Sequence, residues 1–359
     1  MALISFARGA PAPECLAVEL IADCARTAIE RGGAAVLSYG PGGGYAPLRE
    51  WLAERHGVEP GRVILTSGSL QGFVFIAQRI APGRRVLVEG PTYDRPLKIL
   101  AALGADVHAL PMDEEGLDPD ALERELAAGP EPAFLYTIPT FQNPSGRTLS
   151  ADRRRRIVEL AERYDLLVLE DDPYGLVRYE GKAPPLIFEL EGGERVAYTS
   201  SFSKTVAPGV RVGYFVLPEG LAAAIEEVAV STYISPPALT QATVHELIAR
   251  GAFEPNLERV CGLLRARRDA MLEALEREFP AGTSWSRPEG GYFLWVTFPE
   301  GVDASELLVR ALEAGVAFVR GADFFPAGSG DGVNAARFAF SFESPERIAD
   351  GVARLAELL

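Results

Sequence analysis

Short apolar runs alternate with segments of helical period between about residue 60 and residue 217. That alternation predicts an α/β protein, a mostly parallel sheet with helices covering both faces. Beyond about residue 255 helices mix with a few strands, which predicts a second, smaller α+β domain. The chain has 359 residues, more than one hydrophobic core normally serves, so its length agrees with two domains.

The first strand is expected in "RVILTSG" (62–68), ahead of a helix over 69–81 whose stripe is Leu70, Phe73, Val74, Ala77 and Ile80. Ser69 stands where an N-cap belongs. "RRVLVEGPTY" (84–93), "AFLYTIP" (133–139) and "LLVLEDDPY" (166–174) read as strands running into loops. Between the last two, 153–165 puts Ile157, Leu160, Ala161 and Tyr164 on one helical face, and its "RRRR" (153–156) reads as a solvated helix start. "RVAYTSS" (195–201) and "VRVGYFVLP" (210–218) close the series. In the second part, 256–279 reads as a long helix, 290–299 as a strand, 304–321 as helix then strand, 336–342 as a strand and 344–359 as a closing helix.

Acidic residues outnumber basic ones by 50 to 35, a net charge of −15, which argues against a nucleic-acid partner. No run of about 18 apolar residues predicts a membrane span, and "MALISFARGAPAPE" lacks the pattern of a secretory signal. Cys15, Cys24 and Cys261 show no metal or redox spacing and fit a reducing cytoplasm. His56, His108 and His245 are scattered, and no metal site is read.

Ligands of parallel sheets sit beyond the carboxyl ends of the strands. Ser69, Tyr93, Asn143, Asp171, Tyr174, Ser201, Ser203 and Lys204 all lie at or just past such ends. Lys204, in "SSFSKTVAPGVR" (200–211), is one of three lysines in a chain with 32 arginines. Lysine can lose its proton and condense with an aldehyde, which arginine cannot. Ser201, Ser203 and Arg211 around it suit a phosphate, as does the "TSGS" turn (66–69) with its backbone N–H groups. An aldehyde carrying a phosphate describes pyridoxal 5'-phosphate. Its ring nitrogen calls for a carboxylate, and Asp171 is the candidate; Tyr174 and Asn143 are candidates for its ring oxygen.

The set "YGPGGGYAPLRE", "TSGSLQG", "EGPTY", "FQNPSG", "EDDPY" and "SFSKTVAPGVRVGY" resembles the fold-type I, aspartate-aminotransferase-like enzymes over essentially the whole chain. It is most similar to the branch with 2-aminoadipate, aromatic and branched-chain aminotransferases and the MocR-like regulators. The resemblance implies the fold-type I architecture, with a mostly parallel seven-stranded sheet. It places an N-terminal segment at 1–34, a large cofactor-binding domain at 35–250 and a small α+β domain at 251–359. It implies a cytoplasmic aminotransferase that moves an amino group from an L-amino acid to a 2-oxo acid, 2-oxoglutarate being a plausible acceptor.

Carried to this sequence, Lys204 is the Schiff-base lysine and proton shuttle, and Asp171 pairs with the ring nitrogen. Tyr174 and Asn143 bond the ring oxygen and Tyr93 stacks on the ring. Ser69, the backbone at Leu70, Ser201, Ser203 and Arg211 hold the phosphate. Arg337 forks the substrate α-carboxylate, with Asn143 and Gly9 beside it. Tyr39 reaches the phosphate of a neighbouring subunit, implying a homodimer, or else makes a contact within its own chain. Asp172 is read as structural.

The family's Phe-x-Gly-Gly-x-Pro segment is "FARGAP" here, with Arg8 at the first glycine and Gly9 kept. Either Arg8 reaches a substrate acid group or it points to solvent. Glu14 and Gln142 are further candidates for choosing the substrate side chain. The other outcomes open to the sequence are a lyase or decarboxylase using the same cofactor, and a non-catalytic regulator domain that binds it.

Overall fold

The computed structural model describes residues 3–359. Its large sheet runs in the spatial order Val63–Thr66, Gly213–Val216, Val196–Ser201, Val168–Asp171, Leu135–Thr137, Arg85–Gly90, Asp106–Asp113 and Gly116–Leu117. These are seven strands, as expected, plus the two-residue edge strand Gly116–Leu117. The pairings from Val196–Ser201 through to Asp106–Asp113 are parallel. Gly213–Val216 runs antiparallel to both of its neighbours.

The central strands are buried on both faces because each alternates between two apolar layers. Ile64, Val86, Val88, Tyr136 and Leu169 face one cluster, while Val63, Leu65, Leu87, Leu135 and Val168 face the other. Helices Ser69–Ile80, Asp94–Ala102 and Ala151–Tyr164 connect the strands. The parallel strands therefore end on one edge, at Thr66, Gly90, Thr137, Asp171 and Ser201. The antiparallel strand begins there instead, since Gly213 is the register partner of both Ser201 and Thr66. Arg211 thereby reaches the edge that the other strands reach at their carboxyl ends.

A second, antiparallel sheet has the order Ser284–Trp285, Phe293–Thr297, Ala335–Ala339, Val319–Arg320. Helices Phe253–Glu278 and Pro345–Ala356 accompany it. The N-terminal strand Ile4–Ser5 pairs with Val316–Ala317. No helix among the described residues is long and apolar enough to cross a membrane.

The sequence pattern did not reveal every element. Strand Asp106–Asp113 lies near the sheet edge with only Leu110 buried, so "DVHALPMD" carries no apolar run. Helices Val18–Gly32, Ala46–His56, Glu219–Tyr233 and Ala238–Ala249 were likewise not read. Ser69 is the first helical residue rather than the N-cap. Gly68 takes the cap position at φ +101, and Gln71 Oε1 reaches back to accept from Ser67 N at 2.7 Å. The "RRRR" run is not a uniformly solvated start either. Arg154 and Glu170 are 0% exposed, 3.6 Å apart. Arg154 also donates to the carbonyls of Leu149 (3.0 Å), Pro139 (2.7 Å) and Pro185 (3.2 Å) and to Thr140 Oγ1 (2.8 Å). It closes the turn before its own helix, a role that helical period cannot show.

Arg154→Leu strands Glu170 and these carbonyls without their partner, so it should reduce unfolding free energy by about 3–5 kcal/mol. Arg155→Leu, at an exposed neighbour, should change it by about 0.5 kcal/mol or less. Urea denaturation of both variants checks this, and similar midpoints would contradict it.

Candidate active site

Twelve of the residues read from the sequence are placed within or against one cavity of about 200 Å³ at this strand edge. Ser69, Leu70, Tyr93, Asn143, Asp171, Tyr174, Ser201, Ser203, Lys204 and Arg211 line it. Arg337 and Gly9 adjoin it through hydrogen bonds to Asn143 and Lys204. The cavity lies between the end of the large sheet and the N-terminal segment, as expected where parallel strands end.

One side is suited to a phosphate. Ser201 Oγ donates to Ser203 Oγ at 2.9 Å and accepts from Ser203 N at 3.2 Å, which fixes the two hydroxyls together. Arg211, in the left-handed region at φ +50, donates to Ser67 O at 2.5 Å and lies along the Ser67–Gly68 turn. A Cβ on Gly213 would stand 2.5 Å from Gly68 C and Ser69 N, so only glycine lets the antiparallel strand press against that turn. The N-terminus of helix Ser69–Ile80 adds backbone N–H groups and a favourable dipole.

The opposite wall carries Asp171. Its Oδ2 accepts from Tyr136 Oη at 2.7 Å, while Oδ1 is buried with no partner. Burial pushes the carboxyl up to about 7; the bond from Tyr136 opposes this, and the charges of Asp172 and Glu89 add to it. A buried acceptor without a donor is what a ring N–H in this cavity would satisfy, so the residues fit pyridoxal phosphate on this point. Asp172 faces away. It accepts from Gly175 N at 2.9 Å and Tyr198 Oη at 3.2 Å, and it acts as a scaffold.

Lys204 Nζ donates to Gly9 O at 2.8 Å and sits 4.9 Å from the Tyr292 ring centroid. Burial, with added repulsion from Arg337 and Arg211, pushes its amine down to about 8. Arg337 donates to Asn143 Oδ1 at 2.9 Å and to Ala7 O at 2.9 Å, between the rings of Phe293 (4.3 Å) and Phe324 (5.0 Å). Burial lowers its guanidinium to about 10. With its oxygen committed to Arg337, the Asn143 amide has its N–H groups left to donate. Burial also raises the Tyr174 phenol, so it stays a neutral donor.

Other residues fall elsewhere. Gln142 is 1% exposed, bonded to Glu89 Oε2, Pro91 O and Ser145 N, so it braces the Asn143 loop and does not select a side chain. Glu14 is bonded to Arg267. Arg8 is exposed and its guanidinium lies 4.2 Å over the Phe342 ring, outside the cavity lining. Tyr39 is 81% exposed and does not line the cavity of its own chain. Sequence reasoning missed Tyr136 and Tyr292; Tyr136 reads as one more apolar-face residue of its strand, and Tyr292, whose Oη donates to Lys204 O at 3.1 Å, precedes a strand far along the chain.

The sequence matches the family model for aminotransferase class I and II over residues 13–332. It is 39% identical over 362 residues to the 2-aminoadipate transaminase of Thermus thermophilus, covering 99% of this chain and 90% of that protein. It is 37% identical over 368 residues to aromatic-amino-acid aminotransferase 1 of Thermococcus litoralis, with coverages of 99% and 88%. The fold matches the crystal structure of the α-aminoadipate aminotransferase of Thermus thermophilus complexed with N-(5'-phosphopyridoxyl)-L-leucine. The TM-score is 0.94 at 38% identity, covering 99% of this chain and 92% of that one.

The unpaired Asp171 makes the cofactor-free protein pH-sensitive. A carboxyl that holds its proton more tightly folded than unfolded stabilises the fold below its ordinary range. That stability is lost as pH rises to about 7. Asp171→Asn removes this titration. Between about pH 5 and about pH 8 the cofactor-free wild type should lose on the order of 2 kcal/mol more unfolding free energy than the variant. Urea melts across that range test it, and a pH-independent difference would refute it.

Proposed function

The chain belongs to the class I and II aminotransferases, and from that premise we propose that Lys204, Asp171 and Tyr174 form the catalytic centre of this pyridoxal-phosphate-dependent enzyme. The observation that carries this reading is the meeting of a depressed lysine amine, a buried carboxylate oxygen without a donor and a serine–arginine cradle around one cavity. Relatives named as aminotransferases favour amino-group transfer over a lyase or decarboxylase outcome.

When bound, pyridoxal phosphate supplies an aldehyde that exchanges amines and a protonated ring that accepts the electron pair of a substrate C–H bond. Ser69, the Leu70 N–H, Ser201, Ser203 and Arg211 would hold the phosphate, Tyr93 the ring face, and Tyr174 and Asn143 the ring oxygen. Lys204 would hold the aldehyde carbon. Its amine, brought near neutrality by burial, accepts and returns a proton at the substrate α-carbon. Arg337, desolvated and flanked by two aromatic rings, forks the α-carboxylate and sets the α-carbon before that amine. The Gly9 carbonyl, already on Lys204 Nζ, borders the substrate space.

The substrates proposed are an L-amino acid and a 2-oxo acid, with 2-oxoglutarate the first acceptor to test and 2-aminoadipate and aromatic amino acids the first donors, after the names of the relatives. The division at 34 and 250 is supported by the two separate sheets and by the pairing of Ile4–Ser5 with Val316–Ala317. A homodimer is supported by exposed apolar residues that adjoin one another: Leu37 (63%), Tyr39 (81%), Val230 (41%) and Ile234 (59%). Gly40 N bonds Ser235 Oγ at 3.2 Å, which ties the two stretches together. Tyr39 then serves the partner's phosphate. The three free cysteines support a cytoplasmic setting.

Purified enzyme should transfer amino groups from one of these donors to 2-oxoglutarate, and Lys204→Ala should abolish both that turnover and the visible absorption of the bound cofactor. Unchanged turnover in the variant would end the proposal. Only a neutral amine attacks an aldehyde, so cofactor uptake by the free protein should quicken with pH and level off above about 8. For the assembly, light scattering should report the mass of two chains, and Tyr39→Ala should weaken cofactor affinity; a monomer with full affinity would rule it out.

A further inference from the structure

The two oxygens of Asp171 are treated differently, and Tyr136 makes the difference. Its phenol donates to Oδ2 at 2.7 Å while Oδ1 has no partner. Among the described residues no other group donates to this carboxylate. Tyr136 is 0% exposed, on the strand beside Val168–Asp171 with Leu169 as its register partner. Its ring meets that of Phe73 edge-on at 5.1 Å, so the hydroxyl has little freedom to turn elsewhere. Burial holds the phenol well above its ordinary value, so it remains a donor at any working pH.

The other groups facing Asp171 all act in one direction. Glu89, from Arg85–Gly90, and the adjacent Asp172 both raise its affinity for a proton, as does its burial. The phenols of Tyr93 and Tyr174 lie near it and carry no positive charge. The Tyr136 hydrogen bond alone favours the ionised carboxylate.

We propose that Tyr136 is a positioning residue of the reaction: its O–H holds one oxygen of Asp171 so that the other faces the cofactor ring nitrogen, and it keeps their shared proton on the nitrogen. The proposal rests on the reading of Asp171 as the ring-nitrogen partner. With the cofactor bound, one proton would be shared between the ring nitrogen and Oδ1. With Oδ2 already accepting from Tyr136, the carboxylate is the weaker base and the nitrogen keeps the proton. Without that bond the same proton would move to Oδ1, with no net uptake, and the ring would lose its positive charge. A hydrogen bond to a charged group is worth enough for this to change the rate about tenfold to hundredfold.

Two spectroscopic readouts separate this role from mere packing. In the cofactor-free protein, carbon-13 NMR of the Asp171 carboxyl should show its midpoint rising in Tyr136→Phe. Replacing Tyr136 by 3,5-difluorotyrosine, of similar shape but a stronger donor, should lower it. In the holoenzyme, nitrogen-15 NMR of labelled cofactor should show a pyridinium in wild type and a shift toward neutral pyridine in Tyr136→Phe, with kcat falling about tenfold or more. An unchanged nitrogen signal in Tyr136→Phe, or an unmoved Asp171 midpoint in either variant, overturns the proposal. Should Tyr136→Phe fail to fold, the fluorinated protein decides by its carbon-13 midpoint alone. Asp171→Asn is the control: if it too leaves the nitrogen signal unchanged, the reading of Asp171 falls rather than the role of Tyr136.

Discussion

A carboxylate oxygen buried without a donor costs the folded state free energy, and Asp171 Oδ1 is such an atom at the centre of this molecule. Folding alone does not account for it. Glu89 and Glu170 are as deeply buried, yet both their oxygens are engaged. Glu89 accepts from Thr137, Ile138 N and Gln142, and Glu170 from Ile187 N and Phe188 N beside Arg154. The contrast separates two carboxylates with both oxygens engaged from one, in the cavity lining, that keeps an oxygen unpaired. Burial and the charges of Asp172 and Glu89 raise the proton affinity of Asp171, and the one bond from Tyr136 opposes them.

The large sheet converts that local constraint into a site. Parallel strands deliver Thr66, Gly90, Thr137, Asp171 and Ser201 to one edge, and the antiparallel strand Gly213–Val216 delivers Arg211 there from the opposite direction. Gly213 makes this possible, because its backbone packs directly on the Gly68–Ser69 turn. The phosphate side and the carboxylate side thus belong to strands that share backbone hydrogen bonds. A change in the register of either would separate the serine pair from Arg211. The preorganisation of the cavity is a property of the sheet more than of its loops.

Sequence made the fold class and the cavity lining legible because both follow from local rules. Apolar runs mark doubly covered strands, and residues just past them share an edge by topology. Lys204 stood out by chemistry and scarcity, Asp171 and Asn143 by their place after a strand. What stayed hidden depended on contacts distant in sequence. Arg154 lies in a run of four arginines that reads as solvated, and only the packing of 139–149 and 185 around it shows otherwise. Tyr136 differs from an ordinary core tyrosine only through Asp171, 35 residues later. Gln142 looked like a loop residue free to meet a substrate, whereas Glu89 claims it.

The N-terminal segment shows why one family glycine is kept and the other replaced. The carbonyls of Ala7 and Gly9 fall on Arg337 and Lys204, so a single span touches two of the cations of the site. For it to come so near, position 9 must lie against the Phe293 ring, and a Cβ there would stand 2.6 Å from it. Position 8 has no such neighbour. Its side chain leaves the cavity and lies on Phe342, where a guanidinium is favoured by the ring face. Arg8 is therefore compatible with an unaltered approach of the backbone, and it adds a tether between the segment and the stretch that follows strand Ala335–Ala339. Arg337 spends one N–H on Asn143 Oδ1 and one on Ala7 O, and its Nε–H is buried without a partner, so N–H groups stay free on it while the segment is bonded at Ala7. The segment is held on either side of that point, by Phe6 N on Ala317 O at 2.7 Å and by Ser341 Oγ on Ala10 O at 2.9 Å. The short span from Ala7 to Gly9 is thereby fixed against Arg337 and Lys204. The tether at Arg8 adds a further hold on that span, although its side chain lies outside the cavity lining.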